Sequence, residues 1–236
     1  DRAEVSFSQA DYSQHWTGKF EEEFGLKLSP QVTPGVAPAA TSETKGRFAS
    51  VARSYVMAAM FSARMTLLGM LQPVQALARR FDAWGSDEDR RLLHLMGYWK
   101  EHASDRLTLT VGYTDPLSAN LYCDTDHASD IFTRRSTTGM VLMLEGPITR
   151  VNVHNGSKMQ PVVARSSGEA ESVGVDESVR SLLGAHSDYA ADIYGASRSL
   201  AALGLPCIAL AENMGLSFTA KNLFVDASTA MLTMSL

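Results

Sequence analysis

Apolar and polar residues follow two different periods along this chain, and the change falls near Leu107. Val5 to Phe7 reads as a short strand. Tyr12, Trp16, Phe20 and Phe24 then recur at spacing four, which predicts a helix over Asp11 to Phe24 stopped by Gly25. Leu28 to Lys45 carries three prolines and little periodicity, the pattern of an irregular linker. A helix is predicted over Phe48 to Leu71. A second is predicted from Pro73, at the first helical position, to about Trp84. Gly85 breaks that helix. Ser86 caps a third, with Asp87, Glu88 and Asp89 in its first turn and Leu92, Leu93, Met96, Trp99 and Lys100 along it.

From Leu107 onward the alternation is that of strands. Leu107 to Gly112 and Asn120 to Asp126 flank a turn at Asp115-Pro116. Thr138 to Leu144 and Ile148 to His154 pair as a hairpin across Glu145-Gly146-Pro147. After Ser166-Ser167 the helical period returns through Val175, Val179, Leu182, His186, Tyr189 and Ile193. Gly204 and Pro206 end that region. Cys207 to Leu210 and Asn222 to Asp226 read as short strands, and Ala227 to Leu236 as the start of a helix. There are no internal repeats. The fold class expected is mixed α/β, with helices before about residue 104 and a sheet with flanking helices after it.

Composition narrows the class. At 236 residues, 45% hydrophobic and 20% charged, the chain has the make-up of a soluble globular protein with one or two domains. A net charge of -5 argues against nucleic-acid binding over the whole surface but leaves room for a local basic path. Cys123 and Cys207 lack CxxC spacing, which fits reduced thiols in an intracellular protein. The most apolar window, Val51 to Leu71, contains Arg53 and Arg64, so it reads as a buried or interfacial helix and no membrane span is expected. Asn155-Gly156-Ser157 is taken as a chance sequon. The chain opens on Asp1 without a leader, and the expectation is a piece of something longer.

The chemistry concentrates in carboxylates. Asp124 and Asp126 share a strand face at period two, an arrangement that repels unless a cation offsets it. A glutamate pair, Glu169 and Glu171, opens the helix after Ser166-Ser167. Glu171 lies four residues before Val175, on the apolar stripe, while Glu169 is roughly 200° round the helix from it. Asp226 closes a short strand. Such a set suits a divalent metal, and the alternative is surface acids at strand and helix ends. Asp126 and Asp130 are assisting acids or solvated turn acids. Arg134, Arg135, Lys158 and Arg165 form a phosphate-tracking path or a solvated basic face. Ser166 and Ser167, with His127 nearby, lack an elbow motif and read as helix caps. His15, His94, His102, His154 and His186 show no metal spacing.

Cys123-Asp124-Thr125-Asp126-His127-Ala128-Ser129-Asp130, then Arg134-Arg135-Ser136-Thr137-Thr138-Gly139, then Lys158-Met159-Gln160-Pro161 leading into Ser166-Ser167-Gly168-Glu169-Ala170-Glu171 resemble the ribonuclease H domain of copia-type LTR retrotransposon polyproteins in order and spacing. Ser8-Gln9-Ala10-Asp11-Tyr12, Phe24-Gly25 and Thr33-Pro34 match the preceding polymerase region more loosely. The resemblance implies a thumb or connection segment over 1–104 and a ribonuclease H-like mixed sheet with flanking helices over 105–236. It also implies Mg²⁺, with Mn²⁺ as a substitute, held by Asp124, Glu171 and Asp226 as catalytic carboxylates. Asp124 would bridge two metals, and Glu171 and Asp226 would serve the leaving-group side. The implied reaction is hydrolysis of the RNA strand of an RNA–DNA hybrid, and the implied partners are that hybrid and the rest of the Pol polyprotein.

Three positions depart from the family pattern. His127 stands where the family has Trp, and Gln72-Pro73-Val74 where it has Arg-Pro-Asp. No Tyr-x-Asp-Asp motif is present, so polymerisation is not expected. The family closes its site with a fourth aspartate on a later helix, and the sequence reaches Leu236 before one. The expectation is therefore weak metal binding and slow cleavage or none. The competing expectation is a catalytically inactive relic that keeps the fold as a nucleic-acid-binding or structural module. A third is an unrelated helical interaction protein.

Overall fold

The fold is taken from a computed structural model that describes residues 1–39, 44–183 and 218–225. The chain divides into two compact units, Ser6–Thr108 and Asp1–Val5 with Leu109–Leu236.

The first unit is built from four helices, α1 (Ala10–Phe24), α2 (Ala52–Met65), α3 (Leu71–Ala78) and α4 (Ser86–Glu101), with short 3-10 turns at Leu68–Met70 and Phe81–Ala83. The spacing-four stripe of α1 becomes an aromatic cluster. Phe20 is fully buried, with its ring edge-on to Tyr55 at 4.8 Å, and Phe24 meets Phe48 at 4.8 Å. Gly25 ends α1 in the left-handed conformation at φ 60°, which a residue without Cβ reaches without strain. Ala52, Val56, Ala59 and Ala63 are fully buried, and these small side chains let α2 sit at the centre of the unit. Trp99 on α4 is sealed in the core, and its indole N–H donates to Ser13 Oγ at 2.9 Å. A buried indole needs such an acceptor.

Several helical boundaries differ from the sequence pattern, among them the start of α2 at Ala52. The helix expected over Phe48 to Leu71 ends at Met65, where Thr66 leaves the helical conformation and its hydroxyl turns to Gln9 Oε1 at 2.9 Å. Pro73 is the third residue of α3, still in the first turn where its missing N–H has no helical partner to lose, and α3 stops at Ala78. Gly85, not Ser86, is the N-cap of α4. Its backbone N–H is taken by the Glu88 carboxylate at 2.8 Å. Asp89 turns outward from the same helix to accept from Trp84 Nε1 at 2.8 Å and from the Phe48 N–H at 3.1 Å.

The second unit is a mixed α/β layer. Its sheet comprises β1 (Arg2–Ser8), β2 (Arg106–Gly112), β3 (Leu117–Asp126), β4 (Thr137–Glu145), β5 (Arg150–Met159) and β6 (Phe218–Val225), in the order β1-β2-β5-β4-β3-β6. The unit boundary falls within β1 and β2. β2 with β5, β5 with β4 and β4 with β3 run antiparallel, whereas β3 and β6 are parallel. The expected hairpin forms, with Glu145 opposite Arg150. Asp115, from the expected Asp115-Pro116 turn, closes it by accepting the Ile148 and Thr149 N–H groups at 2.8 and 2.6 Å. Helix α5 (Ser167–Leu183) packs on β3 and β4. Leu121, Leu142, Ala170 and Val175 are fully buried. On β3, Ala119, Leu121, Cys123 and Thr125 are buried, while Tyr122, Asp124 and Asp126 are exposed.

The expected elements at Cys207 to Leu210 and Ala227 to Leu236 lie outside the described residues, as do His186, Tyr189 and Ile193 of the helical stripe. No helix among the described residues is long and apolar enough to cross a membrane.

Candidate functional site

The end of β3 is where the motif residues gather. Alternation along the strand decides which way each side chain leaves it. Cys123 takes a hydrogen bond from the Ser178 hydroxyl of α5 at 3.2 Å, and Thr125 Oγ1 lies against Gly174 of α5. Both therefore face the helix, and Asp124 and Asp126, one step out of phase, face away from it. The sequence expectation that these two aspartates share one face agrees with their exposure.

Glu171 reaches the same place from the helix. It is 5% exposed, and its Oε1 accepts the backbone N–H of Thr125 at 3.1 Å. On the β6 side the last register pair among the described residues is Cys123 with Val225, and Glu171 takes up the N–H of the second residue beyond it. Its carboxylate abuts the peptide that follows Asp124, although 46 residues separate Glu171 from Thr125. Asp124 and Glu171 flank the end of β3 from opposite faces of the sheet. The Asp124 side chain has no hydrogen bond or ion pair among the described residues, and Asp226 lies outside them.

Both carboxylates act on the buried Cys123 thiol. Burial pushes the Cys123 thiol up to about 11 against the opposing Ser178 hydrogen bond, and the charges of Glu171 and Asp124 push it in the same direction as burial. Carboxylate oxygens are the donors that hard divalent cations take. Among the described residues, however, no three His, Cys, Asp or Glu side chains gather at one point. The donors present fit such an ion in kind and supply two of the three expected carboxylates.

Polar residues behind the two carboxylates hold this arrangement, and sequence reasoning gave them no role. Gln160 is 1% exposed. Its backbone N–H extends the β4–β5 ladder to Ser136 O at 2.8 Å, and its side-chain Nε2 donates to Thr138 Oγ1 at 3.0 Å and to the Ala170 carbonyl at 2.7 Å. Among the described residues Gln160 Oε1 and Thr125 Oγ1 are buried without a hydrogen-bond partner, which costs about 1–3 kcal/mol for each such group. Ser136, fully buried, accepts the Ala128 N–H at 3.0 Å, and Ser129 donates to Thr137 at 3.1 Å. A readable signal was present, because Thr125 and Thr138 are polar residues at inward positions of their strands.

Asp130 serves the loop. Its Oδ1 accepts from the Phe132 N–H, the Thr133 N–H and the Thr133 hydroxyl at 3.1, 2.8 and 3.0 Å, the pattern of a turn acid. Arg134 and Arg135 follow in this loop, Arg134 exposed at φ 57°. Lys158 is paired with Glu177 of α5, so its charge is already engaged. Arg165 is exposed, and its N–H is held by Glu169 at 2.7 Å. Ser166 caps α5 by accepting the Glu169 N–H at 3.1 Å, which accounts for Ser166 and Glu169 without catalysis. His127 meets the Ala164 carbonyl at 3.3 Å rather than either serine.

No family model, no curated protein and no solved structure matches the chain.

Proposed function

We propose that the sheet-bearing unit is a ribonuclease H-like module that acts on the RNA strand of RNA–DNA hybrids with Mg²⁺. The observation that carries this reading is the docking of Glu171 on the Thr125 N–H. It sets Glu171 against the peptide that follows Asp124, at the C-terminal end of a central strand, and these are two of the three residues named by the copia-type resemblance. In open α/β sheets, ligands gather outside the carboxyl ends of strands where neighbouring connections diverge. β3 is such a strand, antiparallel to β4 on one side and parallel to β6 on the other.

In this reading Asp124 and Glu171 hold the cation, with Asp226 as the third donor. When bound, the metal supplies Lewis-acid stabilisation of the oxygens at the phosphodiester. The protein's own part is to hold the carboxylates in place. Asp124 is solvent-exposed and its side chain is unpaired among the described residues, so its charge is available to a ligand. Glu171 is fixed by the Thr125 backbone donor. Arg134 and Arg165 are exposed and Arg135 is half-buried, and these three would meet phosphates, while Lys158 would first have to leave Glu177. The hybrid would be read by shape and 2′-OH groups, not by base sequence.

A second reading is a nucleic-acid-binding module without catalysis. It is favoured by the two carboxylates approaching from opposite faces of the sheet. Hydrolysis of a labelled RNA–DNA duplex in Mg²⁺ and then Mn²⁺ separates the two. Cleavage lost in both Asp124→Asn and Glu171→Gln supports the nuclease. Hybrid binding with no cleavage under either metal supports the second reading and overturns the first.

A further inference from the structure

We infer that Gln160 is the positioning residue of the helix carboxylate, an amide clamp that sets Glu171 against the end of β3. This rests on the ribonuclease H-like reading of the site and assigns a part to the Lys158-Met159-Gln160-Pro161 segment, which no other role absorbs.

Three bonds define the clamp. The Gln160 N–H ties its backbone to Ser136 O at the start of β4. One side-chain N–H binds Thr138 Oγ1 on β4, and the other binds the carbonyl of Ala170. Ala170 is the residue before Glu171, so the amide grips the helix one residue from the carboxylate that must be placed. Thr138 is opposite Thr125 in the β3–β4 register, and Thr125 carries the N–H that receives Glu171. The path is therefore closed. Gln160 joins α5 to β4, β4 joins β3, and β3 joins Glu171 through Thr125.

Gln160 is 1% exposed and, among the described residues, its Oε1 has no hydrogen-bond partner, so burial of this amide carries a cost that only its donated bonds offset. An orphaned acceptor is tolerated where the two donors of the same group do something an apolar side chain cannot. In this place they orient a helix turn against a strand. Gly174 adds to the same end, because a Cβ there would run into Thr125 Oγ1 and sit 3.2 Å from Thr138 Oγ1. Without that Cβ, α5 approaches the two strands closely enough for both the Gln160 and the Glu171 bonds to form.

The test is the backbone amide of Thr125 in the ¹⁵N-labelled full chain, read by its hydrogen-exchange protection at one neutral pH in the parent, in Glu171→Ala and in Gln160→Met. In the parent this amide should be protected, and Glu171→Ala should remove that protection. In Gln160→Met the Thr125 amide should lose most of its protection while Leu121 and Cys123 keep theirs. In the cleavage assay kcat should fall about tenfold or more with KM little changed, the split expected when a group that serves the chemical step is displaced and substrate binding is left intact. If Gln160→Met folds and the Thr125 protection is unchanged, the proposal is overturned. If the Met variant does not fold, Thr138→Val removes one anchor of the clamp, and unchanged Thr125 protection there overturns it equally. If the Thr125 amide behaves as expected but the parent cleaves no hybrid, the clamp stands and the nuclease reading fails.

Discussion

Gly174→Ala offers a quantitative test of how closely α5 packs on the sheet. The new methyl would penetrate Thr125 Oγ1 and stand 3.2 and 3.4 Å from Thr138 Oγ1 and Cγ2. Both threonines are buried and β-branched, so neither yields freely. Overpacking of this kind costs about 1–3 kcal/mol. Against it, replacing a mid-helix glycine by alanine contributes about 1 kcal/mol. The net expectation is a loss of about 1 kcal/mol, which is about fivefold faster hydrogen exchange at the β3 and β4 amides that open with the core. In a Thr125→Ala background the hard clash is gone, and the remaining Thr138 contacts at 3.2 and 3.4 Å need only a small adjustment against the helix gain. There Gly174→Ala should stabilise relative to its own parent by up to about 1 kcal/mol. The double-mutant cycle should therefore return a coupling near 2 kcal/mol, with a change of sign between backgrounds. The assay is native-state exchange at Leu121, Cys123 and Leu142, read alongside denaturant unfolding. If Gly174→Ala is as stable as the parent with Thr125 intact, the close-approach argument is wrong.

Two further outcomes follow from titratable groups. Partial burial raises the Asp115 carboxyl, but hydrogen bonds from Thr149 and Ile148 outweigh it and hold the group below its ordinary value. A depressed folded value contributes stability above the unfolded value of about 3.9, and that contribution is lost as pH falls through the folded value. Exchange protection at Ile148 and Thr149 should therefore weaken below about pH 4, and Asp115→Asn should weaken it at neutral pH, whereas a pH-independent hairpin would refute the assignment. Cys123 is buried with a thiol raised to about 11, so it should resist iodoacetamide at pH 8 in the folded chain and react only on unfolding. Rapid alkylation without unfolding would contradict its placement under α5.

Features that depend on near neighbours were legible in the chain. The spacing-four aromatic stripe of α1, the Gly25 stop, the alternation of β3, the Ser166 cap and the β4–β5 hairpin all rest on contacts within a few residues or on a fixed period, and the structure has them. The helix expected over Phe48 to Leu71 was misjudged for the opposite reason. Nothing local breaks it at Thr66, and its end is set with Gln9, 57 residues away in sequence. Two of the motif carboxylates were found by pattern, but their geometry was not. Alternation puts Asp124 out of phase with Cys123 and Thr125, yet only packing decides which of the two faces α5 covers, and hence that Asp124 and Glu171 reach the end of β3 from opposite sides. The same holds for Gln160. Its value lies in bonds to Thr138 and Ala170, which the register and the helix docking bring to it, and a single polar letter in a strand-end segment does not carry that information. Period is written residue by residue along the chain. Strand order, the covered face and the partners of a buried amide come from which surfaces exclude water together, and that is decided only when the whole sheet and its helix assemble.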